Sequence, residues 1–345
     1  MPEDSADHTL TTMLAALLLA FSLVCSAHAA AEPKPEAVYK LKGSIVKIHT
    51  VTRDGGQGVG SGVVVAENHV ATNCHVLGSA SGINIAASGE THSPVAIKED
   101  WRHDICILRF KYLPFKPVPL GDSAHLEYEQ GIFSIGFPGG PPKPQTTFGN
   151  IKAIYPLDDG HILRVSTSFV LGASGSPVFN EQGELIGLST FKSPGRNSYF
   201  YAVGVNWLKT LLASDQEQLK VSDGTRPFWD APPADRPFLM QVVIPMQNKD
   251  WKSVQQIAAA WVQAEPLNAE AHYYRALALQ QQGEPSLAKP AYATALQYNA
   301  KHASSIAALA SLARQEGDTG GYASLMTRLE SLDADLAESV RSQPQ

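Results

Sequence analysis

The sequence of 345 residues predicts a multidomain protein in which an all-β region is followed by an all-α region. Within residues 38–212, glycine and proline interrupt short apolar runs rich in Val, Ile, Thr and aromatic residues, a composition typical of strands. The runs are closely spaced, which indicates a barrel or a sandwich. From Arg236 onward the sequence is rich in alanine and glutamine, and its apolar residues follow helical spacing. Residues 213–235, dense in proline, glycine and aspartate, predict a linker.

The N-terminal segment predicts export. An apolar run begins at Met13 and is followed by Ala27, His28 and Ala29, a small-residue cleavage pattern, so residues 1–30 are predicted to be a secretory signal peptide. No lysine or arginine precedes the run, which departs from the usual pattern. The alternative is a membrane anchor, but the run is shorter than the roughly 20 residues that a span requires.

Composition excludes some partners. The formal net charge of −6 argues against nucleic acid as a general partner, because phosphate binding requires a basic face. We expect no cofactor and no metal ion.

A repeat organises the C-terminal region. Gly283 and Gly317 are 34 residues apart, and so are Ala276 and Ala310. This pattern of small residues and turns resembles the tetratricopeptide repeat, whose helical hairpins bury their apolar faces only by stacking on one another. The predicted copies span residues 235–268, 269–302 and 303–336 of a domain at 236–336. Such an array would bind a protein partner or assemble a homo-oligomer; the alternative is a generic alanine-rich bundle.

Three residues of the β-rich region suggest nucleophilic catalysis. His75 follows one apolar run, Asp104 precedes another, and Ser174 lies in the segment GASGSP. A serine hydroxyl is a weak nucleophile unless a base takes its proton and a third group orients that base. Each residue alone has an ordinary structural explanation, as a turn or cap residue. Their conjunction predicts a Ser-His-Asp triad.

Six segments within residues 38–212 resemble, in order, the chymotrypsin-fold (trypsin-like) serine proteases of the Deg/Htr-like branch. These segments are GVGSGVVV, VATNCHV, HDICILR, PLGDS, IGFPGG and GASGSPVFNEQGELIGLST. The resemblance implies an all-β double six-stranded barrel with the site between the barrels. It also implies a serine endopeptidase acting on polypeptides, either in the bacterial periplasm or secreted.

The resemblance assigns a role to each residue of the site. Ser174 attacks the scissile carbonyl, His75 acts first as general base and then as general acid, and Asp104 holds the imidazole tautomer. The backbone N–H groups of Gly172 and Ser174 form the oxyanion hole. Glycine at 172 permits the backbone turn that points its N–H inward.

The resemblance also predicts a specificity pocket. Ser168 occupies the position, six residues before the nucleophile, where trypsin-like relatives carry an acid. A basic substrate side chain is therefore not expected, and a small or apolar one is. Phe169, Leu171 and Tyr201 are predicted to form the pocket walls.

Two cysteines remain after removal of the signal peptide, Cys74 and Cys106. In the resembled fold the segment before the histidine lies against the strand of the aspartate, which predicts a disulfide that braces His75 and Asp104. An exported protein permits such a bond. The alternative is a pair of buried free thiols.

Two other functions remain open at this point. A protease fold can serve as a catalytically silent scaffold or adaptor that acts through its helical repeats. An esterase can use the same triad. The presence of all three catalytic residue types favours the endopeptidase.

Overall fold

The computed structural model describes residues 33, 35–78, 80–87, 90–195, 198–222 and 226–343. The predicted signal peptide at residues 1–30 lies outside these residues. The described chain begins with helix α1, Pro35–Lys42, continues through two antiparallel β units and ends in helices. The predicted order of an all-β region and an all-α region is therefore confirmed.

The first β unit is a seven-stranded sheet in the order β5-β4-β1-β2-β3-β7-β6. Its strands are β1 Ile45–Thr52, β2 Gln57–Ala66, β3 His69–Thr72, β4 Ala80–Ala87, β5 Glu90–His92, β6 Ala96–Asp100 and β7 Ile105–Arg109. A short helix, α2 Cys74–Leu77, follows β3. The unit has one strand more than the predicted six, because β5 extends the sheet edge beside β4. The polar residues of β5 carry no alternating pattern that would predict it.

The second β unit is the closed six-stranded barrel that the sequence predicts, in the order β10-β13-β12-β11-β8-β9. Its strands are β8 Gly131–Gly136, β9 Gln145–Leu157, β10 Gly160–Val165, β11 Pro177–Asn180, β12 Leu185–Lys192 and β13 Phe200–Gly204. The apolar residues of these strands alternate with polar ones where a face meets solvent and run continuously where both faces are covered. Helix α3, Val205–Ala213, follows the barrel.

The helical region repeats with the predicted period. Its helices are α4 Phe238–Gln241, α5 Val243–Gln247, α6 Trp251–Ala264, α7 Ala269–Gln281, α8 Pro285–Tyr298, α9 Ala303–Gln315, α10 Thr319–Leu332 and α11 Ala334–Ser342. Helices α6, α8 and α10 begin 34 residues apart, and so do α7 and α9. The two turn glycines adopt left-handed backbone, with φ of +83° at Gly283 and +75° at Gly317. Fully buried Ala276 and Ala310 let successive helices approach closely. The region is thus repeat-like, as predicted.

The helical region packs directly on the closed barrel. One apolar core runs from the barrel into the helices, and the rings of Tyr155 and Trp261 stack across it with centroids 6.1 Å apart. Lys152 of β9 pairs with Asp333 at 2.7 Å across the same boundary. Burial and charge pairing together hold the helices against the barrel.

The segment predicted as a linker is packed rather than extended in solvent. Gln218 exchanges two backbone hydrogen bonds with Ile97 of β6. Further along, the N–H of Phe228 donates to the carbonyl of Arg102 at 3.0 Å, and the Phe228 ring is buried. This segment therefore lies along the first β unit before the chain enters the helices.

Within the described part of the chain, every helix is too short or too polar to span a bilayer.

Candidate active site

Strand pairing brings His75 and Asp104 together. β3 and β7 are antiparallel, with Thr72 opposite Cys106, so the residues that follow β3 lie beside those that precede β7. The Nδ1 atom of His75 lies 2.6 Å from Oδ2 of Asp104, and the backbone N–H of His75 donates to Oδ1 at 2.9 Å. Asp104 is fully buried and has φ of +59°, an uncommon backbone conformation for a non-glycine residue. The carboxylate thus fixes both the ring and the backbone of His75.

The predicted disulfide is present. Cys74 and Cys106 are bonded, with their Cα atoms 4.9 Å apart, and both are fully buried. The bond joins the residue before His75 to the residue two after Asp104. It therefore ties together the two segments that supply the imidazole and the carboxylate.

A tryptophan from the predicted linker completes the surroundings of Asp104. Trp229 Nε1 donates to Oδ2 of Asp104 at 3.0 Å, and the Trp229 ring meets the His75 ring edge-on at a centroid distance of 5.3 Å. Asn73 holds the backbone of Asp104 by donating to its carbonyl at 2.9 Å. A buried carboxylate requires such donors because it has lost its water. The sequence analysis missed Trp229; the aromatic pair at 228–229 in a proline-rich segment is the signal that points to it.

The loop of Ser174 requires both of its glycines. Gly172 has φ of +91°, and a Cβ there would lie 2.7 Å from the carbonyl oxygen of Phe137. Gly175 has φ of +82°, and a Cβ there would lie 2.2 Å from the carbonyl oxygen of Ser61. Any side chain at either position would both strain the backbone and collide with the backbone of a neighbouring segment.

Ser61 of β2 anchors this loop, and the sequence analysis missed it. Its fully buried hydroxyl donates to the Gly172 carbonyl at 2.9 Å and accepts from the N–H of Phe137 at 2.9 Å. Its backbone N–H donates to the Ser174 carbonyl at 2.8 Å. Ser61 therefore joins the first sheet to the loop that carries the predicted nucleophile. Its position within an apolar run, where a hydroxyl must find partners, is the signal for it.

The predicted oxyanion hole has available donors. In the hydrogen-bond network of the described residues, neither the N–H of Gly172 nor that of Ser174 donates to a protein acceptor. Two unpaired N–H groups in one turn can bind an oxygen on which negative charge develops.

One cavity contains both His75 and Ser174. It has a volume of about 430 Å³ and is also lined by Gln57, Gly58, Val59, Val76, Gly139, Gly140, Leu171 and Gly172. No hydrogen bond joins Ser174 to His75 within the described structure, but such bonds often tighten only when substrate binds. Three larger cavities, of about 720, 820 and 520 Å³, contain neither residue. We favour the smaller cavity because it combines the predicted nucleophile, the histidine held by Asp104 and the N–H groups predicted to form the oxyanion hole.

The predicted pocket walls are only partly at this cavity. Leu171 lines it and is 90% exposed, whereas Ser168 and Phe169 do not line it, and the Phe169 ring packs on Phe200 with centroids 5.0 Å apart. Tyr201 lies in the core, only 1% exposed and stacked on Phe191 at 4.7 Å. Its assignment to a pocket wall is corrected, because its ring faces the apolar boundary with the helical region.

Comparison with known proteins agrees with this architecture. Residues 60–188 match the family described as trypsin-like peptidase domain, a range that contains His75, Asp104 and Ser174. The chain is 31% identical over 156 residues to a glutamyl endopeptidase of Staphylococcus epidermidis, covering 39% of this chain and 55% of that protein. It is 31% identical over 148 residues to the chloroplastic Protease Do-like 1 of Arabidopsis thaliana, covering 39% and 33%. The chain thus spans about half the length, or less, of these curated relatives.

A solved structure resembles part of the chain. The Rv3671c protease from M. tuberculosis in its active form has a TM-score of 0.48 and 20% identity, over 57% of this chain and 90% of that one. Residues 60–188 thus match a trypsin-like peptidase domain, and a helical repeat-like region follows the β units.

Proposed function

We propose that the protein is a serine endopeptidase that cleaves polypeptides through an acyl-enzyme. The observation that carries the proposal is the His75–Asp104 pair at 2.6 Å, which opens onto the cavity that Ser174 lines. A scaffold has no need of a buried carboxylate holding an imidazole beside a serine. The trypsin-like peptidase match supports the same conclusion.

Each step of the reaction uses a group in this cavity. With its Nδ1–H held by Asp104, His75 presents an unprotonated Nε2, which takes the proton of the Ser174 hydroxyl as its oxygen attacks the scissile carbonyl. The N–H groups of Gly172 and Ser174 stabilise the negative oxygen of the tetrahedral intermediate. His75 then protonates the leaving amine, and water, deprotonated by His75, releases the acyl group from Ser174.

The substrate side chain beside the nucleophile is small or apolar in this proposal. Leu171, Val59 and Val76 supply apolar surface, and among the described residues that line the cavity the only ionisable side chain is His75. One relative is named a glutamyl endopeptidase. No lysine or arginine lines this cavity, and the neighbouring Lys47 ammonium is already bound to the Gly140 carbonyl at 2.6 Å, which argues against that preference here.

We also propose that the protein is exported and that its helical region binds a partner. A disulfide beside the catalytic pair suits an oxidising compartment such as the periplasm or the exterior. The 34-residue helical period supports a tetratricopeptide-like array that recruits substrate or a protein partner, or assembles the chain into a homo-oligomer.

Active-site labelling tests the proposal. The full chain is treated with a fluorophosphonate probe and, separately, with an unfolded fluorescent protein substrate and a simple ester. Wild type and Ser176→Ala, which removes the other serine of the segment GASGSP, are expected to be labelled and to cleave the protein, whereas Ser174→Ala does neither. Wild type that neither labels nor cleaves would refute the peptidase and favour an adaptor. Hydrolysis of the ester alone would instead indicate an esterase.

A further inference from the structure

The segment that connects the β units to the helices brings the indole of Trp229 into contact with His75 and Asp104. Trp229 Nε1 lies 3.0 Å from Oδ2 of Asp104, the same oxygen that lies 2.6 Å from His75 Nδ1. The Trp229 ring meets the His75 ring at an interplanar angle of 89°. The indole therefore contacts both partners of the pair: it donates to the carboxylate and packs against the imidazole.

Other contacts fix the indole at this position. Its ring stacks on Phe191 at 5.9 Å, and the preceding residue, Phe228, is held by its N–H bond to Arg102 and by an edge contact with Phe191 at 5.5 Å. Downstream, Phe238 opens helix α4 and stacks on Trp261 of helix α6 at 5.9 Å. The segment is thus anchored at one end on the barrels and at the other on the helical region.

The hydrogen bond from the Trp229 indole changes how firmly the Asp104 carboxylate is held. A fully buried carboxylate that accepts from three N–H groups has fewer orientations than one that accepts from two. The third donor also withdraws charge from Oδ2, which weakens its attraction for an imidazolium. Loss of the indole N–H therefore loosens the carboxylate and alters the hydrogen bond that it accepts from His75 Nδ1.

We propose that Trp229 is a positioning residue of the triad, supplied by the connection to the helical region. The inference rests on the proposed peptidase function. It implies that the barrels without this connection would contain the triad but hold it incompletely.

The variant Trp229→Phe tests this inference, because it keeps an aromatic ring and removes the N–H. Trp261→Phe is the matched control, since Trp261 Nε1 also donates to a carboxylate, that of Glu265 at 3.0 Å, but within the helical region. In Trp229→Phe we expect kcat to fall about tenfold to 100-fold with KM nearly unchanged, as for loss of one hydrogen bond to a charged group. The low-field proton resonance of the His75 Nδ1–H should shift.

The outcomes separate the two proposals. Wild-type kinetics and an unshifted proton resonance in Trp229→Phe would overturn the positioning role. The positioning role would also be overturned if the loss of activity only matched the loss of folded protein in urea titrations, or if Trp261→Phe lost as much activity as Trp229→Phe. If wild type itself is inactive, the peptidase proposal fails, and the proton resonance still decides whether Trp229 orients the pair.

Discussion

Replacing Ser61 with alanine is expected to destabilise the protein and impair the oxyanion hole together. The hydroxyl is fully buried and makes two hydrogen bonds, to the Gly172 carbonyl and from the Phe137 N–H. Alanine would leave both backbone groups buried and unpaired, at about 1–3 kcal/mol each, so the free energy of unfolding should fall by about 2–6 kcal/mol. Because the Gly172 peptide would lose its anchor, kcat should also fall by about tenfold, a fraction of the effect of removing an oxyanion donor outright.

Urea denaturation and peptide cleavage measure the two effects on the same samples. Ser134→Ala is the matched control, because Ser134 is also buried but its hydroxyl makes a single bond, to the Pro177 carbonyl at 3.0 Å. It should lose about 1–2 kcal/mol with little change in kcat. If Ser61→Ala unfolds within about 0.5 kcal/mol of wild type and cleaves peptide at the same rate, the described role of its hydroxyl is wrong.

Three further outcomes are expected. Alanine at both Cys74 and Cys106 removes a cross-link between residues 32 apart and should lower the free energy of unfolding by about 4 kcal/mol in urea titrations; equal midpoints would contradict this. Arg164→Met leaves buried Glu270 with His302 at 3.0 Å but without the guanidinium 3.7 Å away, and should cost up to about 3–5 kcal/mol, whereas a neutral effect would show that the Arg164–Glu270 pair does not hold the helices. Burial alone would lower the pKa of His103, but hydrogen bonds and charges of Asp100 and Asp158 outweigh it and raise the pKa. Stability from this group is present below its unfolded pKa of about 6.5 and is lost as pH rises through the higher folded pKa, so His103→Gln should flatten the fall in stability between about pH 6 and 8.

Local patterns predicted much of the fold. Strand composition and close spacing identified the β-rich half, and small residues at a 34-residue interval identified the helical period, because both are properties of neighbouring residues in the chain. The short strand β5 was missed, since three polar, mostly exposed residues carry no periodic signal. It forms because the hairpin places it beside β4.

The candidate site was predictable only in part. His75, Asp104 and Ser174 each have a local sequence context that marks them. Tyr201 was misplaced because alternation along a strand tells that a side chain points inward, but does not tell whether the interior there is a cavity or a packed core.

The sequence by itself determined the order of the two regions, the residue types of the proposed triad and the glycines that its serine loop requires. Only the tertiary structure decided that Ser61 holds that loop and that Trp229 reaches Asp104, partners 111 and 125 residues apart along the chain. The reason is physical: a hydrogen bond between distant residues forms only after the barrels and helices have packed, and that packing sums many weak contacts that no local pattern records.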